Sequence, residues 1–517
     1  MRFVRPAALC ALLTTAAMTV PAIAGAPTAA DKQAAGVALV TLSQLNVFVK
    51  ANLTNGGGEI EGKTWVGGNL NGGNGFNIGF GASNGQSTVA STFATVTVGG
   101  NQNAQVQIKN QVGGSYGAYV VGSSNGIEVQ ENNGTVNVGG SVSGKISVST
   151  GTALRIAGSY NDQNGLSLGG SNNVWIGGNS TRIQGGSNNT IRVGGNLKSA
   201  DITSGSTAQI GGSLGANGDN SSTNGDVTVL GNISNLNMNA NNLTVKAGGS
   251  VNGQSGISTG SNLYAGGSIS VQNNNGGPGA IHANCGANYA NCAGVAAPVS
   301  PGAPTVASVA GDTQTMFDNF AALSNSLTYL AQAGHTGTLI SGSQGFTFKS
   351  TATSGYTVFN VDQSIFSKNE FAYDFANTST PIIINVKSTN SACTTNLTCS
   401  YSMASNFTGN ASQYNKNVIW NFADASSVVL TRQFQGTVLA YLADLQANVI
   451  EGSVVAKNFN QTNEVHLGTY GNNGNNGNNG LLTGVIPEPA NWALMIGGFG
   501  LVGGVVRRRR RGFAVAA

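Results

Sequence analysis

Between residues 65 and 277 the chain alternates apolar and polar positions in short runs, each broken by glycine. The recurring unit is apolar, any, apolar, then Gly-Gly or Gly, then Asn or Ser. Examples are Trp65-Val66-Gly67-Gly68-Asn69, Val98-Gly99-Gly100-Asn101, Ile176-Gly177-Gly178-Asn179, Val193-Gly194-Gly195-Asn196 and Ala265-Gly266-Gly267-Ser268. From Gly139 onward the unit returns every 17–20 residues. Alternation with period two marks a strand buried on one side. A fixed repeat this short fits one coil of a β-solenoid, not a helical pair or a propeller blade. A β-sandwich is excluded because it does not repeat one corner motif at constant spacing. The pattern predicts a mainly β protein built as a single parallel β-solenoid, with two or three strands per coil, as in 135–138 and 243–246. Inward Val and Ile stack coil on coil about 4.8 Å apart, so about a dozen coils make a rod roughly 55 Å long. Gly-Gly is read as the corner, because glycine takes positive φ without steric cost. Asn is read as a turn or internal-ladder residue.

The pattern then changes. A Pro/Ala/Ser linker over 293–311, with Pro298, Pro301 and Pro304, precedes a stripe of Met316, Phe317, Phe320, Leu323, Leu327 and Leu330 at steps of three and four. That spacing predicts one amphipathic helix over 313–333, capped by Asp312 and ended by Gly334. Its apolar stripe is expected on the flank of the solenoid. A membrane surface is the weaker partner, since the polar face lacks Lys and Arg. Strand-like runs return over 338–470.

Composition sharpens this picture. Only 8% of the 517 residues are charged, 77 are glycine, and 40% are apolar. Low charge with ample apolar content argues against disorder. The absence of a G-X-Y period excludes collagen. The formal charge of +4 comes from the ends. Arg2, Arg5 and the block Arg507, Arg508, Arg509, Arg510 and Arg511 hold seven of the 23 basic residues, and the body between is near −2. No basic stripe tracks a phosphate backbone, so nucleic acid is not an expected partner.

Arg2 and Arg5 precede an apolar stretch over 7–20, and Ala22-Ile23-Ala24 supplies an A-x-A site. This reads as a cleavable signal peptide over 1–24, cut after Ala24, with Cys10 lost in it. In an exported chain the close pairs Cys285 with Cys292 and Cys393 with Cys399 read as local disulfides. Neither pair has the C-x-x-C spacing of a zinc site. At the other end a G-N-N spacer over 471–486 leads to Pro487-Glu488-Pro489. An uncharged run over 490–506, at the short limit for a membrane-spanning helix, follows, and then the arginines, which the positive-inside rule keeps cytoplasmic. Pro487, Glu488, Pro489, Trp492 and Arg507 to Arg511, with the W-A-x-M-I-x-G-F-G run between, resemble the PEP-CTERM sorting signal of Gram-negative bacteria. The resemblance spans 487–517. It implies an exosortase-type enzyme as processing partner, export through the inner membrane, and delivery to the cell surface, outer envelope or extracellular matrix, with links to exopolysaccharide and biofilm.

The body, over about 42–470, is similar to the choice-of-anchor A domain, an adhesin family built as a β-solenoid. The similarity rests on Leu45-Asn46-Val47-Phe48-Val49 leading to Ile60–Leu70, on the Phe317 helix, and on Gly436–Lys457 ending in Glu464-Val465-His466.

Catalytic chemistry is sparse. The histidines are His282, His335 and His466, none with metal-ligand spacing, and neither H-E-x-x-H nor G-x-S-x-G occurs. Glu464 and His466 share a strand face and form the one acid–base candidate, read as a structural hydrogen bond. A glycosidase needs two carboxylates about 5–10 Å apart. The coil acids Glu128, Glu131, Asp162, Asp201, Asp219 and Asp226 are scattered, and Glu128 and Glu131 point to opposite faces. Gly72-Gly73-Asn74-Gly75-Phe76-Asn77 lacks the Asp of a calcium repeat. The expectation is therefore no enzyme, no cofactor and no metal site. An adhesive or structural surface protein that recognises polysaccharide or matrix is expected, with Trp65, Trp175, Tyr119 and Tyr264 as candidate aromatic platforms. The alternatives are a carbohydrate-active β-helix lyase or glycosidase and an ice-binding-like solenoid, the latter needing a T-x-T ladder of which Thr95-Val96-Thr97 is a single rung.

Overall fold

The alternation becomes three stacked faces. In the strand Thr190–Val193, Ile191 and Val193 point inward and are buried, while Thr190 and Arg192 point outward. Asn173–Ile176, Thr207–Ile210 and Thr244–Ala247 keep the same order. Parallel register places Val174 opposite Ile191 and Ile191 opposite Ala208, so inward side chains form unbroken columns. One coil cannot bury this face alone; each is stabilised by its neighbours. The computed structural model describes residues 26–471 other than 80–90, 110–114, 216–218, 254–256, 272–279, 287–291, 293–295, 297–298, 301, 303–307 and 331–335. It is a parallel β-solenoid of about 20 turns with few helices.

Spatial order departs from chain order at one end. On the first face, strands climb coil by coil from Thr64–Val66 to Ala280–His282. On the other side of Thr64–Val66 lies Val47–Val49, which pairs in turn with Val454–Gln461. The stack then continues through Thr437–Ala447, Val418–Asn421 and Ile382–Lys387 to Thr357–Asp362. The C-terminal coils thus extend the rod at its N-terminal end, and an early strand is clamped between the two halves.

A return path is therefore needed from the far end of the rod. Gly302 marks it halfway: a Cβ there would stand 3.9 Å from Cζ3 of Trp175. The chain then enters the amphipathic helix, α2 (Ala310–Thr328). It starts before Asp312 and stops short of Gly334, which lies outside the described residues. Val309 is the N-cap, with no side-chain cap bond, so Asp312 sits in the first turn and does not cap. Docking sets the start instead. Thr313 Oγ1 donates to Val309 O and accepts from Trp65 Nε1, both at 2.9 Å.

A second helix, α1 (Ala29–Gln44), packs beside it, with a capping box between Thr28 and Asp31. Phe320, Leu323 and Leu327 of α2 and Ala38, Leu39 and Leu42 of α1 bury against Phe48, Trp65, Ile383, Ile419, Leu439 and Val455, outward residues of the first face. Asparagines complete the seat. Asn421 Nδ2 donates to Ser324 O (3.0 Å), Ser324 Oγ donates to Asn421 Oδ1 (2.6 Å), and Asn385 Nδ2 donates to Leu327 O (3.0 Å). The helices lie on the flank, as the stripe implied.

The glycine corners work differently from the expectation. None of Gly99, Gly100, Gly139, Gly140, Gly194, Gly195, Gly266 and Gly267 has positive φ. Their constraint is the neighbouring coil. The Asn that follows the corner glycine accepts a backbone N–H from the next coil: Asn196 N donates to Asn179 Oδ1, Ser213 N to Asn196 Oδ1 and Ser250 N to Asn232 Oδ1, each at 2.8 Å. A Cβ on Gly195 would overlap Asn179 Oδ1 and come within 2.9 Å of Gly178 C. Left-handed residues occupy another corner, just before the first face: Asn133, Gly151, Ser171, Asn188, Gly205, Asn242 and Gly260. Beside them runs a buried ladder in which Thr152 N donates to Asn172 Oδ1 and Asn172 N to Asn189 Oδ1, both at 2.7 Å. Among the described residues no helix is long and apolar enough to cross a membrane. The signal (Ala22, Ala24), the 487–517 sorting segment and His335 lie outside the described residues.

Candidate functional site

The third face carries a nine-stranded sheet running from Asn74–Ile78 to Leu236–Met238. Its outward column reads Asn77, Gln107, Glu128, Ser147, Ser167, Gln184, Asp201, Ser222 and Asn237, each opposite the next in parallel register. None of the nine is buried. Inward neighbours such as Ile108, Val129 and Leu166 fix the backbone, so the amides and hydroxyls stand at fixed height, one per coil, about 4.8 Å apart. The charges are paired across the coils: Glu128 with Lys145 at 2.7 Å and Asp201 with Arg182 at 2.6 Å. Asp201 also accepts from Ser222 Oγ at 2.9 Å. The result is a polar, electrically balanced, repetitive surface.

The four aromatic candidates all fall on the first face, in one outward column. It runs Trp65, Thr97, Tyr119, Asn137, Arg155, Trp175, Arg192, Gln209, Thr228, Lys246, Tyr264, His282. Trp65 is buried under α2 and Tyr264 packs on the Cys285–Cys292 loop, so neither is an open platform. Trp175 is half-buried, with the Arg192 guanidinium 4.9 Å from its ring centre. His282 stacks on Tyr264 at 4.5 Å. Thr95 and Thr97 are both buried, which removes the single T-x-T rung from the surface.

Five of the six coil acids hold a structural partner. Besides the two ion pairs, Asp219 lies 3.7 Å from Lys198, Asp162 Oδ1 accepts from Asn164 N at 3.2 Å, and Asp226 Oδ1 accepts from Thr244 N at 2.7 Å. Glu128 faces outward on its strand, and Glu131 sits exposed in the following turn. Cys285 and Cys292 have Cα atoms 5.4 Å apart, and Cys393 and Cys399 4.8 Å apart, both at disulfide distance. Among the described residues no three His, Cys, Asp or Glu side chains are grouped to hold a metal.

His466 and Glu464 do meet, Nε2 to Oε2 at 2.8 Å, but sequence reading missed the stronger partner. Nδ1 lies 2.7 Å from Glu451 Oε1, one coil away. Glu451 and Glu464 together push the imidazole up to about 9, chiefly through the Glu451 hydrogen bond. Glu451 is itself held below its ordinary value by His466 against the opposing effect of burial. Burial raises Glu61, whose carboxylate accepts the Leu467 N–H. Val465 bridges to Ile60, so this clamp sits where the C-terminal coils meet the first N-terminal ones. An imidazolium held between two carboxylates is a fastening, not a general base free to take a proton.

The fold is a parallel β-solenoid with long polar faces. Residues 199–467 match the family model described as "Putative Ice-binding-like adhesive domain", and the chain belongs to that family. Among solved structures it is similar to a crystal structure of an ice binding protein from an Antarctic bacterium, Flavobacteriaceae. The identity is 11%, covering 85% of this chain and 97% of that one, with a TM-score of 0.18. No curated protein matches.

Proposed function

We propose that this is an exported cell-surface or matrix protein that adheres to polysaccharide through the third face, without chemical turnover. The carrying observation is the nine-rung column from Asn77 to Asn237, polar throughout and in register. Each rung offers a sugar hydroxyl a donor or acceptor, and weak contacts gain strength by repetition along the rod. Membership of an adhesive family supports the reading, as do the structural bonds that engage Glu128, Asp162, Asp201, Asp219 and Asp226. The proposal includes export by the 1–24 signal, sorting by an exosortase at Pro487-Glu488-Pro489, and a choice-of-anchor A-type body.

Ice recognition is the second reading, favoured by the family's description. Against it, Thr95 and Thr97 are buried, and the third face includes the hydrated charges of Glu128 and Asp201. The test is retention of the full chain on extracted host exopolysaccharide, beside an ice-recrystallisation assay. Replacing Gln107, Ser147 and Gln184 together by Ala is expected to weaken retention at least tenfold and to leave ice growth unaffected in both forms. Unchanged retention, or inhibition of ice growth that the substitutions abolish, refutes the polysaccharide reading of this face.

A further inference from the structure

Six basic residues of the ascending coils divide by face. Lys145, Arg182 and Lys198, which point elsewhere, each lie within 2.6–3.7 Å of an acid. Arg155, Arg192 and Lys246 all stand in the first-face column, and among the described residues no ion pair includes any of them. Arg155 is exposed; Arg192 and Lys246 are half-buried. The strands put Arg155 and Arg192 two coils apart and Arg192 and Lys246 three coils apart. Those gaps are about 10 Å and 14 Å along a straight line of about 24 Å. Trp175 lies between the two arginines, with Arg192 over its ring.

Among the described residues no acid is paired with this line; the carboxylate on the neighbouring outward column, Asp226, is bound through Oδ1 to Thr244 N at 2.7 Å. The return segment passes Trp175 at Gly302, but residues 286–311 contain no Asp or Glu. Three cations aligned on one face with an aromatic between them, while Lys145, Arg182 and Lys198 are paired with acids of neighbouring coils, present a complement to a linear anion.

We propose that the Arg155–Trp175–Arg192–Lys246 line is a second binding site, for an extended anionic polysaccharide whose carboxylates meet the cations while a sugar ring rests against Trp175. The occupant is a polysaccharide and not a nucleic acid, because the line holds only three cations and the body that carries it has a net charge near −2. The ligand class rests on the adhesive reading, but the site is separate from the third-face column.

Binding of the full chain to polygalacturonate, to its neutral methyl ester and to a single-stranded oligonucleotide of equal length, at several salt concentrations, tests this. Polygalacturonate should bind at least tenfold more tightly than either competitor. Its affinity should fall with salt at a log–log slope of about −2, as release of counterions at three contacts requires. Arg155→Gln, Arg192→Gln and Lys246→Gln should each weaken it about three- to tenfold, with the triple variant losing binding. Trp175→Ala should weaken polymer binding with little change in the salt slope. Lys349→Gln, on the C-terminal coils and away from both faces, should change nothing. Equal binding of the ester or the oligonucleotide, or an equal loss in Lys349→Gln, overturns the proposal. Loss of third-face retention with polygalacturonate binding intact would instead overturn the third-face reading alone.

Discussion

Replacing Phe320 by Ala removes the side chain that ties three parts of the molecule together. Phe320 is fully buried in the middle of α2, its ring 4.9 Å from that of Phe48 on the clamped N-terminal strand. It shares a cluster with Trp65 of the first ascending coil and with Leu439 and Val455 of the C-terminal coils. Burial of such a ring contributes about 1.5–3 kcal/mol, and the cavity left behind raises the cost of truncation to about 3–5 kcal/mol. A solenoid need not unfold in one step, so a single midpoint is a poor readout. Native-state hydrogen exchange reads the local opening directly. Phe320→Ala should speed exchange in α2 and in Val47–Val49 together, by about 100- to 5,000-fold at 1.36 kcal/mol per tenfold. Ascending coils remote from the helices should keep their protection. Phe317→Ala is the control, because Phe317 is half-buried and rests against Tyr441 and Lys50, 5.5 Å and 3.4 Å away. It should cost about 1–2 kcal/mol. Faster exchange in α2 alone, or a loss below about 1 kcal/mol, would show that the helix does not hold the two halves together.

Gly195→Ala forces a methyl onto Asn179 Oδ1 and Gly178 C and should cost about 1–3 kcal/mol by overpacking, measured by native-state hydrogen exchange in the flanking coils; a neutral result refutes the close-approach account of the corner. The His466 clamp predicts a pH dependence. With the imidazole raised from 6.5 to about 9, its stabilisation is complete below about pH 6.5 and is lost as pH rises through 9. Glu451, held low, keeps its contribution above its ordinary value of 4.5 and loses it as pH falls further. Because burial lowers Lys63 to about 8, and that group becomes less costly as pH rises, the clamp is read as wild type minus His466→Gln. That difference should shrink by about 1–2 kcal/mol between pH 6 and 10, and a difference constant with pH would contradict the clamp. Lys63→Met should destabilise its coils by several kcal/mol, because Ser91 O, Phe93 O and Ser115 O lose the ammonium that donates to them at 2.8–3.1 Å; hydrogen exchange there equal to wild type would refute that role.

The coils were legible because a solenoid writes its structure into local sequence. Period-two alternation fixes which residues face inward, and the constant step fixes the register that brings Val174, Ile191 and Ala208 together. The ladder role of the Asn or Ser after Gly-Gly was also open to reading. The reason for the glycines was not, since φ at Gly195 is ordinary and its constraint comes from Asn179, a residue one coil away. α1 escaped notice because its stripe of Ala35, Ala38, Leu39 and Leu42 is too small to stand out, although Thr28 and Asp31 spell a capping box. The insertion of Val47–Val49 between distant segments leaves no local mark, because pairing with Val454–Gln461 joins residues some four hundred positions apart. For the same reason Trp65 and Trp175 looked alike in sequence, though one lies beneath α2 and the other beside Gly302.

The most direct test of the adhesive account is to incubate the purified full chain with its host's exopolysaccharide and follow retention and product release together. The account predicts saturable retention that Gln107→Ala, Ser147→Ala and Gln184→Ala jointly weaken at least tenfold, with no reducing ends or unsaturated sugars appearing over prolonged incubation. Release of such products, abolished by replacing a single carboxylate such as Asp201 or Glu128, would contradict it and establish an enzyme.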